Sequence, residues 1–322
     1  MRRLAIMLAA IAVAATCSAC MHVNERPADI SEKIRSSGAV VDARGTAALY
    51  TPLQEKEPYV GVRVTRDLRY GPDPRNLADI FAPKDASEKQ LPVLIFVHGG
   101  GFTAGERRLG PDSPFYDNVG IWAARHGLVG VNITYRLAPQ GKWPAGAEDV
   151  GRAVDWIRRT AVAQGGDPQR IFLLGHSAGA THVAGYVSHR QFWIGTEPAI
   201  KGAIVVSGTY EVTTGPVPAD EKSFVEREGS YFDGETLHGS EQSSLAGLIA
   251  SPVPLLIVNA EFDPPYFVRR ASSLRAAFRR AHRGDRFVVL SGQSHMSEIF
   301  SMNTRDRTLS REISGFIRRR SF

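Results

Sequence analysis

Cysteine is nearly missing from this chain of 322 residues: there are two, at positions 17 and 20. Everything downstream of residue 20 therefore lacks both a disulfide and a redox dithiol, and must be held by its core. No Cys/His spacing of the zinc type occurs, and no internal repeat, which argues against a zinc module or a solenoid. No apolar run reaches the roughly 18 residues that a membrane span needs; Leu4 to Ala15 is only 12 residues long. A strong charge bias is also absent. Lys plus Arg number 39 and Asp plus Glu 33, a net +6 that does not by itself point to nucleic acid. Apolar residues make up 43% and charged residues 22%, close to a soluble globular average. Disordered, collagen-like and multi-span membrane classes are excluded.

The short apolar run has its own meaning. Arg2 and Arg3 precede it and small residues follow it, the layout of a secretory signal peptide over residues 1–19. Cleavage after Ala19 would leave Cys20 at the new N-terminus. Cys17-Ser18-Ala19-Cys20 resembles a bacterial lipoprotein box, with Cys17 where that pattern carries Leu. The resemblance implies lipidation of Cys20 and a membrane-anchored periplasmic protein. A cleaved, free periplasmic or secreted protein and a retained N-terminal anchor are the other readings.

Residues 20–58 are polar and weakly patterned, and read as a tether followed by a possible cap segment. From residue 59 to 322 strand and helix signals alternate. Val60 to Leu68 alternates as a half-buried strand, and Leu77 to Phe81 is a second, short one. Leu91 to Val97, Leu128 to Thr134, Arg170 to Gly175, Ala203 to Val206, Leu255 to Val258 and Phe287 to Leu290 follow. Helical patterns fall at Val119 to Arg125, Pro144 to Arg159, Ala178 to Val187, Tyr266 to His282 and Leu309 to Ile317. This rhythm predicts an α/β fold: a mostly parallel sheet with helices on both faces. Residues 208–252 break it and read as an insertion, part of a lid.

Two glycine-rich stretches follow predicted strands. Gly175-His176-Ser177-Ala178-Gly179 joins a buried strand to a helix. That is the setting of a nucleophile elbow, a sharp turn lifting a serine hydroxyl clear of the sheet. The pentapeptide alone is weak, and an ordinary strand-to-helix turn is its bland reading. His98-Gly99-Gly100-Gly101-Phe102 lets the backbone approach a ligand and aim N–H groups at it. A phosphate loop would want a following Lys-Ser or Lys-Thr, which is missing.

Together these motifs resemble those of the α/β-hydrolase superfamily, and within it the hormone-sensitive-lipase-like carboxylesterases. Tyr135-Arg136-Leu137-Ala138-Pro139 and Trp143-Pro144-Ala145-Gly146-Ala147-Glu148-Asp149-Val150 resemble a third stretch of that group. The resemblance covers roughly residues 60–300. It implies a triad in the order Ser, acid, His. Ser177 is the nucleophile. Asp263 matches the position of the acid after the penultimate strand, with Glu261 as the alternative. His295, after the last strand, is the base. The amides of Gly100, Gly101 and Ala178 form the oxyanion hole, and Phe102 lies in the substrate site. His98 and His176 sit inside motifs as structural hydrogen-bonders.

The expected activity is hydrolysis of short-chain or small aromatic carboxylic esters through an acyl-enzyme, with no metal or organic cofactor. Alternatives on the same fold are a formamidase or amidase, since Ser294-His295-Met296-Ser297-Glu298 resembles kynurenine-formamidase-like members, and a feruloyl or acetyl esterase. A non-catalytic binding protein would be expected to lack a triad member. The expected partner is a small-molecule ester, not nucleic acid, with a membrane tether through lipidated Cys20. Seven arginines between 268 and 286 read as the solvated face of an outer helix whose buried side is Val268, Leu274 and Phe278; attraction to anionic lipid is the other reading. Trp143, Trp193 and Tyr231 line a pocket or belong to the core.

Overall fold

The computed structural model describes residues 26–86, 89–212, 216–232 and 239–321. The signal-peptide and Cys20 expectations lie outside the described residues. The strands are β1 (Val62–Arg69), β2 (Leu77–Pro83), β3 (Leu91–Val97), β4 (Val129–Ile133), β5 (Gly166–His176), β6 (Gly202–Val206), β7 (Leu255–Phe262) and β8 (Arg286–Ser294). They form one sheet in the order β1-β2-β4-β3-β5-β6-β7-β8. β2 runs antiparallel to β1 and β4, and every other pairing is parallel. The helices are α1 (Ala28–Ser37), α2 (Ala43–Tyr50), α3 (Asp117–Arg125), α4 (Ala145–Thr160), α5 (Ala178–Ser188), α6 (Lys222–Tyr231), α7 (Gly239–Gln242), α8 (Leu245–Ala250), α9 (Pro265–Arg280), α10 (Ser297–Phe300) and α11 (Thr308–Arg318).

The period of two along each central strand divides the core into two layers. Val93, Ile95 and Val97 of β3 join Ile171 and Leu173 of β5 on one face. There they meet Val150 and Val154 of α4, Val183 of α5, and Leu274 and Phe278 of α9. Leu94, Phe96, Phe172 and Leu174 point to the other face, against Trp122 of α3 and Ile313 and Phe316 of α11. Strands covered on both sides must be apolar throughout, which is why β3 and the second half of β5 read as continuous runs.

Residues 28–50 dock on that second layer. Ile30, Ile34 and Tyr50 are buried there. Arg26 donates to Asp306 Oδ2 at 2.5 Å, and both side chains are almost fully buried. Among the described residues no helix is long and apolar enough to cross a membrane.

Three expectations change. The first strand starts at Val62: Gly61 turns the chain with φ +77°, and Val60 is 81% exposed. Val268 is exposed rather than buried. In α9 the buried stripe is Tyr266, Phe267, Leu274, Ala277 and Phe278. At about 100° per residue these cluster on one side, and Val268 falls well away from their centre. The 208–252 region is not all overhang either. α8 sends Leu248 into the core and packs against α5 so closely that a Cβ on Gly247 would meet Ser188 O at 2.1 Å. Of the described part of this region, α6 stands over the cavity described below.

Candidate active site

Ser177, Asp263 and His295 stand at the C-terminal ends of parallel strands. β5 ends in His176, and Ser177 takes φ +54°, ψ −122° before α5 begins. Such a conformation costs a non-glycine residue about 1–3 kcal/mol and must be enforced by its surroundings. Ser177 N–H donates to Val206 O (2.8 Å), which pins the elbow to the neighbouring β6. Gly179 is required for the same turn: a Cβ there would lie 2.1 Å from Val97 O.

From β8 the chain delivers His295. Ser177 Oγ donates to its Nε2 (2.9 Å), and its Nδ1–H donates to Asp263 Oδ1 (2.8 Å). Asp263 follows β7 and is 2% exposed. Its other oxygen accepts from Ser207 Oγ (2.6 Å), Ala260 N–H (2.9 Å) and Asn259 Nδ2 (3.1 Å). Burial works to raise this carboxyl. The hydrogen bond and charge of His295, with Ser207 and the Ala260 amide, outweigh it and hold Asp263 below its ordinary range. Glu261 points elsewhere. It is exposed and accepts from Ser291 Oγ and Gly292 N–H, fixing the turn before His295.

The loop after β3 faces Ser177. Gly100 has φ +138° and Gly101 φ +59°. A Cβ on Gly100 would meet Ala104 O at 1.9 Å. His98 Nδ1–H donates to Gly99 O (2.7 Å), and Tyr135 donates to His98 O (2.8 Å). His176 Nε2–H donates to His295 O (2.8 Å). Burial drives both of these imidazoles down to about 3, so each is neutral and has a fixed structural role.

A cavity of about 290 Å³ opens over Ser177, bounded by Gly100, Gly101 and Ala178. Its walls are largely apolar: Val41, Leu109, Phe224, Tyr266, Phe267 and Met296. Val41 comes from the linker between α1 and α2, and Phe224 from α6. Phe102 lines it and stacks on Tyr231 (centroids 4.9 Å apart, 9°). Tyr231 backs the wall, where its hydroxyl accepts from Gly146 N–H. Trp143 packs on His189 and Phe192, and Trp193 donates to Tyr186 O; neither lines the cavity.

The structure also brings in residues that the sequence reading passed over. Ser207 and Asn259 hold the carboxylate. Phe267 stacks on His295. Glu298 lies fully buried, with Oε1 3.5 Å from His176 Nε2. Burial, then the charge of Asp263, pushes Glu298 well above the ordinary carboxyl range. Ser207 was legible only as the residue after a strand, and Glu298 only as one helical turn beyond His295. His176, His295 and Glu298 form a group close enough to share a cation. Both ring nitrogens of His295 are already engaged, by Ser177 and Asp263.

A family model described as BD-FAE matches residues 78–197. Esterase LipQ of Mycobacterium tuberculosis is 29% identical over 269 residues, covering 79% of this chain and 62% of LipQ. Esterase LipC of the same organism is 28% identical, covering 71% of this chain and 59% of LipC. The chain thus spans about three fifths of the length of these two relatives. Among solved structures, esterase B of Lactobacillus rhamnosis superimposes with a TM-score of 0.71 at 16% identity, covering 91% of this chain and 95% of that one. An esterase of Pyrobaculum calidifontis gives 0.63 at 20% identity, covering 92% and 98%. These likenesses show the fold, which is that of the α/β-hydrolases.

Proposed function

We propose that this chain is a serine hydrolase of carboxylic esters, of the hormone-sensitive-lipase-like type, acting on short-chain or small aromatic esters. The observation that carries this reading is the hydrogen-bonded line from Ser177 through His295 to Asp263 beside glycine amides. A serine hydroxyl is a poor nucleophile at neutral pH. His295 takes its proton as Oγ attacks the ester carbonyl. Asp263 holds the ring in one tautomer and stabilises the imidazolium. The charge that builds on the carbonyl oxygen is received by the N–H groups of Gly100, Gly101 and Ala178, each worth about 3–4 kcal/mol of barrier. His295 then protonates the leaving alcohol. Water, activated by the same imidazole, releases the acid and restores Ser177. The small apolar cavity favours a short acyl or aryl group.

The esterase names of the mycobacterial relatives favour the same activity. A fluorophosphonate probe is expected to label the wild type and not Ser177→Ala. Absence of labelling in folded wild-type protein would overturn the reading. Rates on p-nitrophenyl esters, formyl-kynurenine and acetylated xylan then separate esterase from formamidase and acetyl-esterase activity.

The same proposal extends to location: an exported protein, held at a membrane leaflet in the periplasm by lipid on Cys20. The leader at residues 1–19 and the Cys17–Cys20 stretch support it. The intact mass of the mature protein tests it, since lipidation adds a diacyl or triacyl increment to a chain beginning at residue 20.

A further inference from the structure

Arg227 is the single charged side chain among the described residues that line the cavity over Ser177. It stands on α6, and its aliphatic stem crosses the glycine loop. A Cβ on Gly101 would meet Arg227 Cδ at 3.0 Å and Nη1 at 3.7 Å. The guanidinium is thus held beside the amides that face the reacting carbonyl, at the cavity mouth. Its stem lies on backbone while its head keeps access to water.

No carboxylate of the described residues pairs with it. The next residue, Glu228, is buried and faces Tyr266, which also meets Arg270. Glu221 is engaged by Arg269. Glu226 lies beside Arg227 in sequence and is exposed. Other arginines of the fold do find acidic partners: Arg66 with Asp117, Arg136 with Asp149, Arg283 with Asp285. A cation left unmatched on an otherwise apolar wall, next to the reacting centre, suits a ligand that brings the missing charge. A guanidinium offers two parallel N–H donors to a carboxylate, and apolar walls strengthen the attraction relative to open water.

We infer that the preferred esters carry a carboxylate, and that Arg227 is the residue that selects them. This inference rests on the hydrolase reading above and narrows its substrate class. The carboxylate can belong to the acyl part, as in a dicarboxylic acid monoester, or to the alcohol part, as in an acyloxybenzoate.

The test uses two matched pairs on the full chain. Mono-p-nitrophenyl glutarate against p-nitrophenyl valerate probes the acyl side. 4-Acetoxybenzoate against phenyl acetate probes the alcohol side. In the wild type one carboxylate ester is expected to exceed its neutral match in kcat/KM, with the excess shrinking as salt rises. In Arg227→Gln that ratio is expected to fall about ten-fold, mostly through KM, and Arg227→Lys should restore part of it. The pair that responds identifies which side carries the carboxylate. A ratio unchanged by Arg227→Gln in both pairs would overturn the inference. That includes the case in which neutral and anionic esters lose activity equally, which would place Arg227 at the developing oxyanion instead. Inactivity of the wild type on all four esters would fail the hydrolase reading itself, and the inference with it.

Discussion

The ring of Phe267 stacks on the imidazole of His295, with centroids 4.3 Å apart and planes 26° from parallel. Phe224 packs edge-on against the far part of the same cluster at 5.4 Å. The imidazole is therefore held on two sides: by Asp263 at its Nδ1 and by an aromatic face. Phe267→Leu keeps an apolar residue in the wall but removes the flat support. It is expected to lower kcat several-fold for a neutral ester while leaving KM less affected, since an aromatic pair of this kind contributes about 0.5–1.5 kcal/mol. Steady-state kinetics on p-nitrophenyl butyrate checks this. Unchanged kcat would show that Asp263 alone orients the ring.

Ser177 sits at φ +54°, where a side chain is strained and glycine is not. Ser177→Gly and Ser177→Ala should both abolish activity. Their stabilities should differ, with the glycine variant more resistant to denaturant by about 1 kcal/mol. Urea unfolding of the two variants measures the gap. Equal midpoints would mean that the elbow relaxes when the hydroxyl is lost.

Asp263 is a depressed carboxylate, so its pairing stabilises the fold above the unfolded-state value of about 3.9 and is lost as pH falls through its folded value. Ser207→Ala removes the 2.6 Å hydrogen bond to it. The variant is expected to lose about 1.5–3 kcal/mol at neutral pH, the cost of a hydrogen bond to a charged group. The deficit should narrow in acid, once Asp263 is protonated in both proteins. Thermal unfolding from pH 7 to well below 3.8 tests this, and a deficit that stays constant over that whole range would contradict it.

Glu298 gives the opposite slope. Its folded value is raised, so its contribution is fully present below the unfolded value of about 4.3 and is lost progressively as pH rises toward the folded one. Glu298→Gln copies the neutral acid and cannot ionise. The melting temperature of the variant relative to wild type is expected to climb as pH rises above about 4.3 toward the folded value. A flat difference would indicate that Glu298 is already ionised in the folded protein.

What could be read in advance follows from how local the determining physics is. β3 and the second half of β5 were legible because strands covered on both faces need unbroken apolar runs. The resemblance put Ser177, Asp263 and His295 forward, because its triad order places each just beyond a strand. Val268 was misread because an apolar residue in a helix does not by itself reveal the helix's phase against the sheet. Ser207 reaches Asp263 because β6 lies beside β7, and that adjacency belongs to strand order rather than to any local pattern. Arg227 was one basic residue in a polar stretch until α6 had a position relative to the glycine loop. Docking of α1 and α2 depends on Ile30, Ile34 and Tyr50 finding a surface assembled from distant segments.

Two of the cavity walls, the stretch around Val41 and the helix carrying Phe224 and Arg227, lie outside the sheet whose strand ends carry Ser177, Asp263 and His295. On the proposed reading, recognition and bond cleavage fall to separate parts of the chain. Exchanging residues on those two outer segments can retune which molecules are accepted, at little risk to the strands on which the relay and the integrity of the molecule depend.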